Sequence, residues 1–141
     1  MYWADLTPYR HEEYAAIGTK AIGWLSAKYE FSQGEVSPEF RDLLRFFCSH
    51  SIMQMRGFHV CEFCSDPRSE ASQEDGLWLG NAETRVFYQE QVYAAPNLIY
   101  HYVLKHNYKP PDEFINAVLN GPKPGSKEYE NLLKQIPYLD L

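Results

Sequence analysis

Cys61-Glu62-Phe63-Cys64-Ser65-Asp66-Pro67 brings two thiols to the spacing at which both sulfurs can converge on one tetrahedral ion. Redox proteins use the same C-x-x-C spacing, but there the pair opens a helix behind a buried strand. Here Asp66 precedes a proline, which steers the backbone away from helix. Metal ligation by Cys61 and Cys64 is therefore the better reading, and two further ligands are needed to close the shell. His101 and His106 supply them as H-x4-H, within the histidine spacing of Cys2His2 sites. On an ideal helix five residues leave the two imidazoles about 140° apart. A last turn tightened toward 3₁₀ and ended at Asn107 would bring them together. His59, two residues before Cys61, is the alternative to either one.

Beyond the knuckle, the stretch from Cys64 to Leu77 is polar, carries Pro67 and Gly76, and reads as a mobile loop. Strand patterns follow at 77–79 and 84–88, joined as a hairpin through Gly80-Asn81-Ala82-Glu83, with a third strand over 91–94. Pro96 then starts a helix over 97–106 that carries both histidines. The order knuckle, hairpin, helix resembles a treble-clef-like zinc finger.

The flanking segments supply a core for it. Ser37-Pro38-Glu39 is a helix start, with an N-cap serine, proline at the first helical position and an acid in the first turn. Phe40, Leu43, Leu44, Phe47 and Cys48 recur on one helical face, so Cys48 reads as a small buried hydrophobe. Pro111-Asp112-Glu113 opens another helix with Phe114, Ile115, Val118 and Leu119 on one face and Gly121 as its stop. Ser126 caps a last helix bearing Tyr129, Leu132, Leu133 and Ile136. Residues 1–36 form an aromatic N-terminal arm with a strand-like run at Ala21-Ile22-Gly23-Trp24-Leu25. The expected fold class is α+β, a single zinc-stapled domain over residues 1–141.

The bulk composition narrows the function classes. With 45% hydrophobic and 23% charged residues the chain has the balance of a folded globular protein. Its net charge is -6, and its 13 Lys and Arg form no run or stripe of the kind that neutralises phosphates, so nucleic acid is not an expected partner. The acidic excess gathers between Glu62 and Glu90, facing Arg68 and Arg85, as a solvated loop or as a patch for a basic partner. No stretch approaches the length of a membrane span and the N-terminus has no signal-peptide pattern, which predicts a cytoplasmic protein without a membrane role.

Two catalytic patterns compete with a structural ion. His11-Glu12-Glu13 matches the H-x-E of zinc deaminases, but Val60 stands where that pattern has proline before its C-x-x-C. A metal-dependent hydrolase or nuclease could also be built on a treble-clef-like finger, with Arg85 and Lys105 near the site. Against the nuclease stands the missing basic channel. Phosphate-binding and nucleophile-elbow motifs are absent.

Several segments taken together carry a resemblance. Asp5-Leu6-Thr7-Pro8-Tyr9, Gly23-Trp24-Leu25, Arg56-Gly57-Phe58-His59-Val60-Cys61-Glu62-Phe63-Cys64, Gly80-Asn81-Ala82-Glu83, and the run from Tyr93-Ala94-Ala95-Pro96 through His101, His106 and Pro110-Pro111 to Glu113-Phe114 resemble an uncharacterised family of small bacterial proteins. The match extends to about Leu119. The resemblance implies that finger and helix belong to one compact unit in a bacterial cytoplasm, and implies no activity. Where that family has a second glycine after Gly80-Asn81, this chain has Ala82. The function expected from these readings is that of a non-catalytic, acidic protein-binding domain with a structural zinc. Its size and charge are those of immunity proteins, which neutralise toxins, and its partner is expected to be another protein with a basic surface.

Overall fold

In the computed structural model, which describes residues 2–9, 16–52, 61–64 and 73–136, Ser37 begins helix α1 (Pro38–Ser49) as its chemistry predicts. Its hydroxyl accepts the Phe40 N–H at 3.1 Å, and Pro38 and Glu39 fill the first turn. The face of Phe40, Leu44, Phe47 and Cys48 is buried, and Leu43 packs half-buried beside it. Burial pushes the Cys48 thiol up to about 12, consistent with a packing role.

The helix covers a small open sheet. Strands β4 (Glu83–Tyr88) and β5 (Gln91–Pro96) pair antiparallel, with Val86 opposite Tyr93, and β1 (Lys20–Ala21) adds in parallel to the other edge of β5, giving the order β1-β5-β4. Five of the six β4 residues are buried, because both faces are covered, and this explains why the strand lacks strict polar alternation. Glu83 and Arg85 pair inside the protein at 2.8 Å, with the Tyr9 hydroxyl donating to Glu83 at 2.6 Å and the guanidinium 4.9 Å from the Tyr9 ring centroid.

The hairpin expected across Gly80-Asn81-Ala82-Glu83 does not form. Leu77–Trp78 (β3) pairs instead with Gln73–Glu74 (β2), around Asp75-Gly76 at φ 51° and 82°. Asp-Gly readily adopts the two left-handed residues that match hairpin twist, so the turn goes there. Gly80 is left-handed, at φ 88°, but it bends the chain so that its N–H donates to the buried Asn97 side chain at 2.8 Å. The left-handed backbone falls on Gly80 and not on Ala82, so alanine there is unstrained.

Helix α2 (Ile99–His106) follows β5 directly, and α3 (Asp112–Asn120) and α4 (Lys127–Lys134) complete the core against α1 and β4. Pro96 ends β5, so α2 starts two residues later than expected. Ser126 caps α4 through its hydroxyl, and Tyr129 at its first turn donates to the Arg85 carbonyl at 2.7 Å. Gly121 ends α3 in an extended conformation, not a left-handed one. Glycine is needed there because a Cβ would lie 2.2 Å from the Phe87 carbonyl oxygen.

The arm is short on strand and rich in rings. Of the expected run at 21–25 only Ala21 belongs to a strand, since Gly23, at φ 77° and within 2.9 Å of Ile99 side-chain atoms for any added Cβ, turns the chain. Trp3, Tyr9 and Trp24 cluster, and the Trp24 indole N–H donates to Ala94 O at 3.0 Å. Asp5 accepts the Gly23 N–H at 2.9 Å and the Tyr108 hydroxyl at 2.7 Å, which fastens the arm just beyond the end of α2. Among the described residues no helix is long and apolar enough to cross a membrane.

Candidate metal centre

The knuckle is positioned by what surrounds its middle residues. Phe63 packs edge-on against Phe31 and Tyr102, with ring centroids 5.1 and 5.9 Å away, and its N–H donates to Cys61 Sγ at 3.4 Å. The Glu62 carboxylate accepts the Ala27 N–H at 3.3 Å. Both contacts dock the knuckle on the arm, with Cys61 buried and Cys64 half-buried facing α2.

Helix α2 presents two imidazoles to it. His101 lies within the helix and is 2% exposed, while His106 is its last residue. The splay expected of five residues is relieved by widening the helix end, not by the 3₁₀ tightening anticipated. The Asn107 N–H reaches the Tyr102 carbonyl, five residues back, and the Tyr108 N–H reaches the same oxygen at 3.2 Å. Closing a turn over five residues in place of four moves positions i and i+5 toward one face. Asn107, at φ 56°, takes the left-handed conformation that ends the helix, as its residue type foretells.

The four groups meet. One ligand atom from each of Cys61, Cys64, His101 and His106 lies within 4.8 Å of all the others. Cys61 Sγ is 3.3 Å from His106 Nε2, Cys64 Sγ is 3.1 Å from His101 Nε2 and 3.4 Å from His106 Nε2, and the two Nε2 atoms are 3.2 Å apart. Zinc bond lengths of about 2.3 Å to sulfur and about 2.0–2.1 Å to nitrogen imply tetrahedral edges of about 3.5 Å for S···N and about 3.3 Å for N···N. The cluster has nearly these edges, so this Cys2His2 set is geometrically compatible with a structural zinc site.

The electrostatics suit a cation. Burial pushes the Cys61 thiol up to about 12, with the Phe63 N–H pulling the other way, so a divalent ion is what would stabilise its thiolate. Burial and the neighbouring His101 hold the His106 pKa down, which keeps its imidazole in the neutral, ligating form.

One neighbour of the cluster was not expected from the sequence. Glu74 Oε1 sits 2.9 Å from His101 Nδ1, with only 12% of its side chain exposed. Its signal was Asp75-Gly76, which marks a hairpin and would have placed Glu74 on a strand beside the site. Other acids from the expected 62–90 patch are also engaged within the protein: Asp75 with Arg45 at 3.0 Å, Glu83 with Arg85. Arg85 is fully buried in that pair and so does not line a surface beside the cluster, whereas Lys105 is exposed and 3.9 Å from Glu74 Oε2. His59, the alternative ligand, His11 and Glu12-Glu13 of the deaminase-like match, and residues 65–72 of the expected loop lie outside the described residues.

No curated protein and no solved structure matches the chain. A family model does match it, over residues 1–119, a span that takes in the arm, the knuckle, the hairpin, the sheet, α2 and nearly all of α3. The chain therefore belongs to the family described as Domain of unknown function (DUF7919).

Proposed function

We propose that Cys61, Cys64, His101 and His106 bind one structural zinc ion in a treble-clef-like setting, and that the domain works by binding another protein and not by catalysis. The observation that carries this is the four-sided cluster itself. Four ligands from the chain fill the tetrahedral shell of zinc, whereas catalytic zinc keeps a position for water or substrate. With the ion committed to structure, activity falls to the surface. The net charge of -6 and the thin spread of cations favour a protein with a basic face over nucleic acid. An immunity-type role is consistent with that charge.

Elemental analysis of metal-replete protein should find one zinc per chain. Cys61→Ser should lose it, with loss of part of the binding energy, on the order of 10–16 kcal/mol, that such sites couple to folding. Wild-type protein without zinc, or a serine variant with undiminished zinc, refutes the centre. The binding role is tested by affinity purification from the native cell. A stoichiometric partner released at high salt supports it, and repeated recovery of the domain alone retires it.

A further inference from the structure

The β2–β3 hairpin has two strands of two residues each, too little pairing to be stable by itself. Its turn and first strand are fastened to α2, which carries the histidines, through His101 and Tyr100, and to α1 through Arg45. Glu74 Oε1 meets His101 Nδ1 at 2.9 Å, and the Tyr100 hydroxyl and Arg45 Nε each reach Asp75 Oδ2 at 3.0 Å. The first of these contacts touches the metal centre, because the opposite nitrogen of the same ring, His101 Nε2, is the one turned toward Cys64 and His106.

An imidazole that gives Nε2 to a metal must carry its remaining proton on Nδ1. That proton then points at the Glu74 carboxylate, in a pocket where His101 is 2% exposed. Without the ion the carboxylate alone holds the proton on Nδ1, and the hydrogen bond loses the polarisation that a cation on Nε2 gives it. Lys105, 57% exposed and 3.9 Å from Oε2, is too solvated to replace the histidine as a partner.

We propose that Glu74 is the positioning carboxylate of the metal centre, and that through it zinc occupancy is transmitted to the order of the 73–78 hairpin. This rests on the zinc reading above. Coupling of this kind is reciprocal: if zinc orders the hairpin, loss of Glu74 weakens zinc.

The test compares wild type, Glu74→Ala and Glu74→Gln as full chains, by zinc titration against a chromophoric chelator and by amide hydrogen exchange with and without zinc. Glu74→Ala should bind zinc 10- to 100-fold more weakly, the usual cost of losing such a partner. Glu74→Gln keeps the shape and an acceptor oxygen without the charge, and should fall between; it carries the test if the alanine variant fails to fold. In wild type, zinc should slow exchange across 73–78, and the His101 Nδ1 proton should appear in NMR spectra as a solvent-protected resonance that Glu74→Ala abolishes. Alanine and wild-type affinities within twofold, or hairpin exchange indifferent to zinc in wild type, overturn the proposal. Wild type that binds no zinc at all removes the metal reading instead, so the two failures are distinct.

Discussion

A buried thiol beside a neutral imidazole binds protons in competition with metal. Burial raises the Cys61 thiol to about 12, so at neutral pH without metal it is protonated, and zinc must displace that proton. Lowering pH raises the proton activity against which zinc must displace that thiol proton, and so weakens zinc, roughly tenfold per pH unit for each thiol proton displaced. Zinc titrations between pH 6 and 8 should show affinity rising with pH, and a flat profile would mean that thiolates are not the ligands. His106, whose pKa burial and His101 hold below the ordinary imidazole value, competes less with zinc for protons than an unperturbed histidine would. At this scale the Cys2His2 cluster was readable from residue type and spacing, since few side chains bind zinc and fewer recur as C-x2-C and H-x4-H. Glu74 was not, because an outer carboxylate has no fixed spacing from the histidine it holds.

Two of the four described helices, α1 and α4, declared themselves through their caps. Ser37 and Ser126 both accept the N–H three residues on, as their position before an acidic first turn predicts. Hairpins were harder, and for a physical reason. The β4–β5 turn uses Gln89 and Glu90, both left-handed at φ 48° and 67°, a conformation that neither side chain favours. Packing of the buried strands imposes that turn on a local sequence that does not ask for it. Replacing Gln89-Glu90 with Asn-Gly should therefore stabilise the protein by about 0.5–1 kcal/mol. Denaturant unfolding of the zinc-saturated variant would show it as a raised midpoint at unchanged slope. An unaltered or lower midpoint would indicate that Gln89 and Glu90 make compensating contacts.

For the molecule as a whole, two bodies of contacts bear different loads. One is the apolar core built by α1, α3, α4 and β4, in which Phe40, Phe47, Phe114 and Tyr129 stack edge to face. None of those rings belongs to the metal cluster, although Cys61 is buried in the same apolar cluster and Phe31, Phe63 and Cys64 pack against it. The other joins the arm to the knuckle and α2 through Phe31 and Phe63, Glu62 and Ala27, and Asp5 and Tyr108. Chelation should dissolve the second before the first. Limited proteolysis with and without a chelator should then cut the 26–36 stretch early while the 38–49 and 112–134 helices persist, and simultaneous loss of both would show one cooperative unit. The aromatic arm was legible as composition, but its route was not, because no local pattern tells Asp5 that its partner is Tyr108.

The bond between Asp5 and Tyr108 spans 103 positions of chain. Closing so large a loop is entropically slow compared with forming the local β4–β5 hairpin or any of the helices. Docking of the arm onto Tyr108 is thus expected to follow them when the protein folds, so that the knuckle acquires its contacts with the arm late.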